Sequence, residues 1–212
     1  MSRRSCLVVL IFLVQAASGT TLLAQSHTVQ VQIYDDTALK PGALNSLVAR
    51  TQNLLVSSGI SVQVKVCKSD LESHCETQTG FTILIVRLVA RNMQKISNVR
   101  QRRLGQSYAD HQGGKYAFVF LEQIQDSAAQ ANVSWITVLA YTIAHEVGHL
   151  LLGSESHTGR GLMKANWDQS DYLEMSQGHL YFSNQQSRDL ANRFGMLNLP
   201  EKGSATTLRT CP

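Results

Sequence analysis

The chain's 212 residues, 43% apolar and 16% charged, suit one folded domain with a substantial core and exclude a disordered or low-complexity protein. Its 19 Lys and Arg against 15 Asp and Glu give a net charge of +4. Arg3 and Arg4 sit in an N-terminal leader, and without them the net is +2, too little to argue for nucleic acid.

That leader comes first in chain order. Arg3 and Arg4 precede an apolar run from Cys6 to Ala17, which gives way to small and polar residues. This is the layout of a secretory signal peptide. The run is shorter than the roughly 20 residues of a membrane span, so no transmembrane segment is expected in the mature chain. An uncleaved anchor is the alternative. Ala17 and Gly19 fit the small-x-small rule, and cleavage between Gly19 and Ala24 leaves 1–24 as leader and 25–212 as one domain. Cys6 has no lipobox context. The expected destination is outside the cell or the periplasm, and nothing in the chain fixes an oligomeric state.

In the mature part, Thr28 to Tyr34 alternates like a strand, and Pro41 to Ser57 has helical periodicity closed by Gly59. Ile60 to Val66 alternates again. Phe81 to Val86 and Tyr116 to Leu121 read as buried strands, and Leu104 to Tyr108 as the likeliest sheet edge. A long apolar helix starting at Trp135 follows, with Ser134 as N-cap and Gly153 as a left-handed C-terminal stop. A helix from about Asn184 to Phe194 ends the order. Strands alternating with helices predict an α/β fold whose sheet is largely parallel, and no internal repeat or second domain is expected.

The long helix carries the chemistry. His145 and His149 are four residues apart, so both imidazoles leave one helix face and can meet a single metal ion. Glu146 points about 100° away around the helix, which suits a base acting on water rather than a ligand. A catalytic zinc usually takes three protein ligands. His157 is the first candidate for the third, with Glu155 as its rival. Eight more residues of helix would carry His157 about 12 Å from His149, so the chain must turn back, and Gly153 supplies the freedom to do so.

His145-Glu146-x-x-His149, Gly153, His157 and the downstream Gly161-Leu162-Met163 together resemble the metzincin clan of zinc endopeptidases, in its small secreted bacterial form. Against the pattern HExxHxxGxxH, Gly153 falls one residue late and His157 two. Strict numbering puts Leu152 and Glu155 in those places, and the joint displacement reads as a longer turn. The resemblance implies a single catalytic domain: a twisted, mostly parallel sheet over an active-site helix, then a short C-terminal subdomain ending in a helix. It also implies Zn²⁺ held by His145, His149 and His157, Glu146 as general base, and Met163 beneath the metal. The implied activity is hydrolysis of a protein or peptide substrate by zinc-activated water, with the substrate added to an edge strand in extended form. Two other classes stay open: a secreted zinc-binding protein without activity, and a non-metzincin zinc hydrolase using Glu155. Met163 also suits ordinary core filling, and Trp167 and Tyr172 suit either the pocket wall or the core.

Two further features carry expectations. Cys67 and Cys75 could close a small loop, or either could pair with Cys211. Arg87, Arg91, Lys95, Arg100, Arg102 and Arg103 form a stretch without an acidic residue, read as solvated surface or as a side facing an anionic partner. With few residues between leader and first strand, no folded pro-segment and no cysteine latency switch are expected.

Overall fold

The structure, a computed structural model, describes residues 28–67, 75, 79–90 and 103–194. The leader, most of the basic stretch and Cys211 therefore lie outside the described residues.

Strand β1 (Thr28–Asp35) sets the frame. Its alternation puts Val29, Val31 and Ile33 on one face, all fully buried. Strands β2 (Val62–Cys67) and β3 (Phe81–Val89) flank it in parallel, and β5 (Gly113–Phe120) adds in parallel to β3. Strand β4 (Gly105–Asp110) pairs antiparallel with β5 and closes the order β2-β1-β3-β5-β4 as an edge. The expected mixed α/β fold with a mostly parallel sheet is thus present, and the predicted edge segment is at the edge. On the other face of β1 a chain of amides satisfies its own polar atoms. Gln30 donates to Gln63 at 3.0 Å, Gln32 to Gln30 at 2.9 Å, and the Tyr34 hydroxyl to Gln32 at 3.3 Å.

Helix α1 (Pro41–Ser57) starts on a proline, whose missing N–H costs nothing at a first helical position, and buries Leu47, Leu54 and Leu55 against the sheet. Helix α3 (Trp135–Leu152) has the predicted bounds. Every residue from Thr137 to Leu151 is buried, because α3 touches β5, β4 and all four other helices. It is the one described helix long and apolar enough to cross a membrane, and 78% of it is buried inside this domain, which accounts for its apolarity. Helix α5 (Asn184–Phe194) finishes α3's far end: Arg193 donates to the carbonyl of Leu151 at 2.7 Å, one of the acceptors a helix terminus leaves free.

Several expectations need correction. Ser134 stands at the N-cap but its side chain makes no capping bond; its backbone carbonyl accepts from Val138. Strand β2 begins at Val62 rather than Ile60, and β3 continues past Val86 through Arg87 to Val89. Leu121 belongs to a helix, α2 (Leu121–Ala131), which follows β5 with no intervening turn. A second unpredicted helix, α4 (Gln169–Gln177), is set by Asp168. That carboxylate accepts from the N–H groups of Ser170 and Asp171, while Asp171 accepts in return from the N–H of Asp168, a reciprocal capping box. Lys164 bridges both carboxylates at 2.6 Å. Cys67, at the end of β2, is joined to Cys75 by a disulfide, which settles the pairing among the described residues. Arg87 is paired with Asp36 at 2.7 Å.

Candidate metal centre

The spacing of His145 and His149 on α3 puts their rings 4.9 Å apart on one face of the helix. Gly153 then stops the helix at φ 101°, ψ 170°. That is positive φ as expected, but extended rather than left-handed helical, and only glycine occupies it readily. A side chain there would also collide with the β4–β5 turn, since a Cβ would lie 2.7 Å from the carbonyl oxygen of His111. The N–H of Ser154 is tied to Asp110 O at 2.8 Å, so the chain leaves α3 along the sheet's edge and turns back.

The returning loop brings in His157. Its Nε2 lies 3.0 Å from Nε2 of His149, which is in turn 3.2 Å from Nε2 of His145. One nitrogen from each ring lies within 4.8 Å of the others, so these three histidines could hold one metal ion. Glu155 is exposed and outside the group.

The second nitrogens of the two α3 histidines are already engaged, and this fixes their tautomers. His145 Nδ1 faces the carbonyl oxygen of Leu162 at 2.8 Å, an acceptor, so Nδ1 carries the proton. Ser156 Oγ donates to Gly153 O at 2.8 Å and therefore accepts, at 3.0 Å, from His149 Nδ1–H. Both rings, when neutral, thus present an unprotonated Nε2 to the same point. Burial lowers the pKa of all three histidines, that of His145 to about 4, so the neutral form prevails at pH 7. Converging lone pairs repel unless a cation stands between them. Two nitrogens on one tetrahedral zinc, each roughly 2.0–2.1 Å from it, stand about 3.3 Å apart. The donor set and its spacing fit such an ion.

Met163 is fully buried against α3. Its thioether fills the space where Gly148, between the two histidines on α3, has no side chain: a Cβ there would lie 2.4 Å from Sδ. Leu162, just before it, also accepts from Trp167 Nε1 at 3.3 Å, and the Trp167 ring stands edge-on to His145 at 5.3 Å. Trp167 and Tyr172 both line the cleft.

Glu146 leaves α3 toward β4 and is buried. Burial pushes its carboxyl up to about 7, opposed by hydrogen bonds from the Ser107 hydroxyl and N–H and by the charge of Arg103. The histidines and Glu146 open on a cleft of about 580 Å³, walled on one side by β4 and on the other by the segment around Trp167. Arg103 also lines this cleft, so of the two described members of the basic stretch it reaches the site and Arg87 does not.

Four residues here escaped the sequence reading. Gly105 and Ser107 sit against Glu146, and Ser156 orients His149. Gln186 of α5, buried, donates to Ser156 O at 2.9 Å and so anchors the loop that bears His157. Only Ser156, adjacent to a candidate ligand, carried any local signal.

No family model and no curated protein matches the chain. Among solved structures, archaemetzincin from Methanopyrus kandleri aligns at TM-score 0.51 and 13% identity, over 80% of this chain and 97% of that one. Metalloproteinase-II from Bacteroides fragilis aligns at TM-score 0.47 and 14% identity, over 80% of this chain and 54% of that one. The likeness to archaemetzincin shows a shared fold.

Proposed function

We propose that this protein is a secreted zinc endopeptidase of metzincin type. The observation that supports it best is the convergence of one nitrogen from each of three imidazoles beside a buried carboxylate, in a cleft bordered by the edge strand β4. His145, His149 and His157 would hold the zinc, with Leu162 O and Ser156 Oγ fixing two of the rings so that little reorganisation accompanies binding. Bound there, zinc would supply Lewis-acid polarisation of a carbonyl and acidification of water. Glu146 takes a proton from the attacking water and passes it to the leaving amine, a role suited to a carboxyl raised by burial. The edge of β4 offers backbone groups to an extended peptide. The proposed partner is a protein or peptide, with export directed by residues 1–24.

The test is Glu146→Gln in the zinc-reconstituted mature chain, with dye-quenched casein as substrate. Zinc content should stay near that of wild type while hydrolysis falls by roughly 10²–10⁴. Undiminished hydrolysis in that variant refutes the role. A wild type that binds zinc and cleaves nothing in casein or a peptide library would instead favour a non-catalytic zinc protein.

A further inference from the structure

Glycine inside a strand weakens it, and when no turn or positive φ requires it, something else must fill the space. Gly105 opens β4 and its φ lies outside the left-handed region, so its backbone would accept alanine. What excludes a side chain is a single neighbour. A Cβ on Gly105 would lie 2.7 Å from Glu146 Oε1, 2.8 Å from its Cγ and 2.9 Å from its Cδ, with no other residue among the three nearest atoms. Two positions along the strand, Ser107 lines the same cleft with its hydroxyl and N–H near enough to favour the charged form of that carboxylate. Period-two alternation puts 105 and 107 on one face of β4.

We infer that Gly105 and Ser107 form a seat on the edge strand that positions the Glu146 carboxylate: the glycine leaves room for it and the serine holds it. This rests on the reading of Glu146 as the general base. Neither residue is a catalytic residue; both act through Glu146. The edge strand thereby has a second task besides receiving substrate, since it sets where the base stands relative to whatever lies along that strand. The seat also explains how a side chain on a helix is aimed: the residues that bound it belong to a strand pinned to β5.

The geometry predicts an unusual outcome for Gly105→Ala. The obstructing atoms are the mobile end of Glu146, so the carboxylate yields and the fold does not. In the zinc-reconstituted mature chain, zinc content and thermal midpoint should match wild type, while kcat on dye-quenched casein falls about 10²-fold with KM unchanged, the scale of a 1 Å misplacement. Ser107→Ala should lower kcat about tenfold, the value of one hydrogen bond to a charged group, and Ser107→Thr should restore most of it. A crystal structure of Gly105→Ala should show the Glu146 carboxylate displaced and β4 in register. Wild-type kcat in both variants, an unmoved carboxylate, or loss of zinc from Gly105→Ala would each overturn the seat. If Gly105→Ala fails to fold, the kcat of Ser107→Ala and its rescue decide. If wild type cleaves nothing, the endopeptidase reading fails by itself, and the position of Glu146 in the Gly105→Ala crystal still decides the seat.

Discussion

Gly148→Ala measures how tightly the proposed metal floor is built. By helix propensity alone the change should stabilise, since glycine is about 1 kcal/mol worse than alanine inside a helix. The structure reverses the sign. The new Cβ would stand 2.4 Å from Met163 Sδ, 3.0 Å from its Cε and 3.0 Å from Phe182 Cε1, against an ordinary carbon separation of about 3.5–4.0 Å. Sδ must retreat by about 1 Å, and Met163 and Leu162 are both fully buried, so no solvent-filled space receives it. Overpacking of this kind costs about 1–3 kcal/mol. Less the propensity gain, the expected net loss reaches about 2 kcal/mol, which lowers the thermal midpoint by up to about 8 °C for a domain of this size. Urea melts of the metal-free chain would measure it, with a double-mutant cycle through Met163→Ala. That variant alone should cost about 2–5 kcal/mol by leaving a cavity. In the double variant the alanine methyl occupies part of the cavity, so the two losses should sum to more than the measured one by at least about 1 kcal/mol. An alanine variant more stable than wild type, or an additive cycle, would refute the packing argument.

Three further expectations follow from the same geometry. His157→Ala should lose bound zinc in elemental analysis whereas Glu155→Ala keeps it, and removing zinc from wild type with a chelator should lower the thermal midpoint, by about 2.7 kcal/mol of stability where free zinc had been 100 times its dissociation constant. Gln186→Ala should leave the sheet intact but weaken zinc binding by about 10–100-fold in a competition titration, because the loop bearing His157 loses its tether. Asp168→Ala should lower the thermal midpoint at pH 7. The Lys164 ammonium beside Asp168 holds that carboxyl well below the usual range, so its contribution is complete above the unfolded value near about 3.9 and is lost as pH falls through the folded one. The gap between variant and wild type should therefore close in strong acid, and a gap that widens there would contradict the assignment.

The parts of the fold that showed in the sequence are those governed by local periodicity. Val29, Val31 and Ile33 alternate cleanly, and α3 is long, apolar and closed by Gly153. What did not show had its cause elsewhere in the chain or in chemistry that mimics a loop. Helix α2 follows Phe120 without glycine or proline to mark the switch from period two to period 3.6, so Leu121 read as more strand. Helix α4 is polar, so it has no apolar periodicity to announce it, and its start is set by the reciprocal bonds between Asp168 and Asp171. Arg87, which broke the apolar run of β3, faces outward to Asp36 and leaves the strand unbroken. At the site, the two histidines and Glu146 were legible because one helical turn relates them. The turn back to His157 followed from distance alone. Gly105, Ser107 and Gln186 were not legible, because their only relation to the site is through space.

The tethering of α3 and its loop by α5 has a consequence for the order of assembly. His145, His149 and His157 all precede α5 in the chain, yet the amide that anchors the third histidine's loop and the guanidinium that caps Leu151 come from Gln186 and Arg193. A growing or partly folded chain therefore exposes a two-histidine pair with an untethered third, a weak grip on any metal. Were these histidines to hold zinc, full affinity would arrive only when α5, the last described helix, docks. Under the proposed function, the hydrolytic site would switch on as a final step of folding, so that incompletely folded copies stay metal-poor and inert.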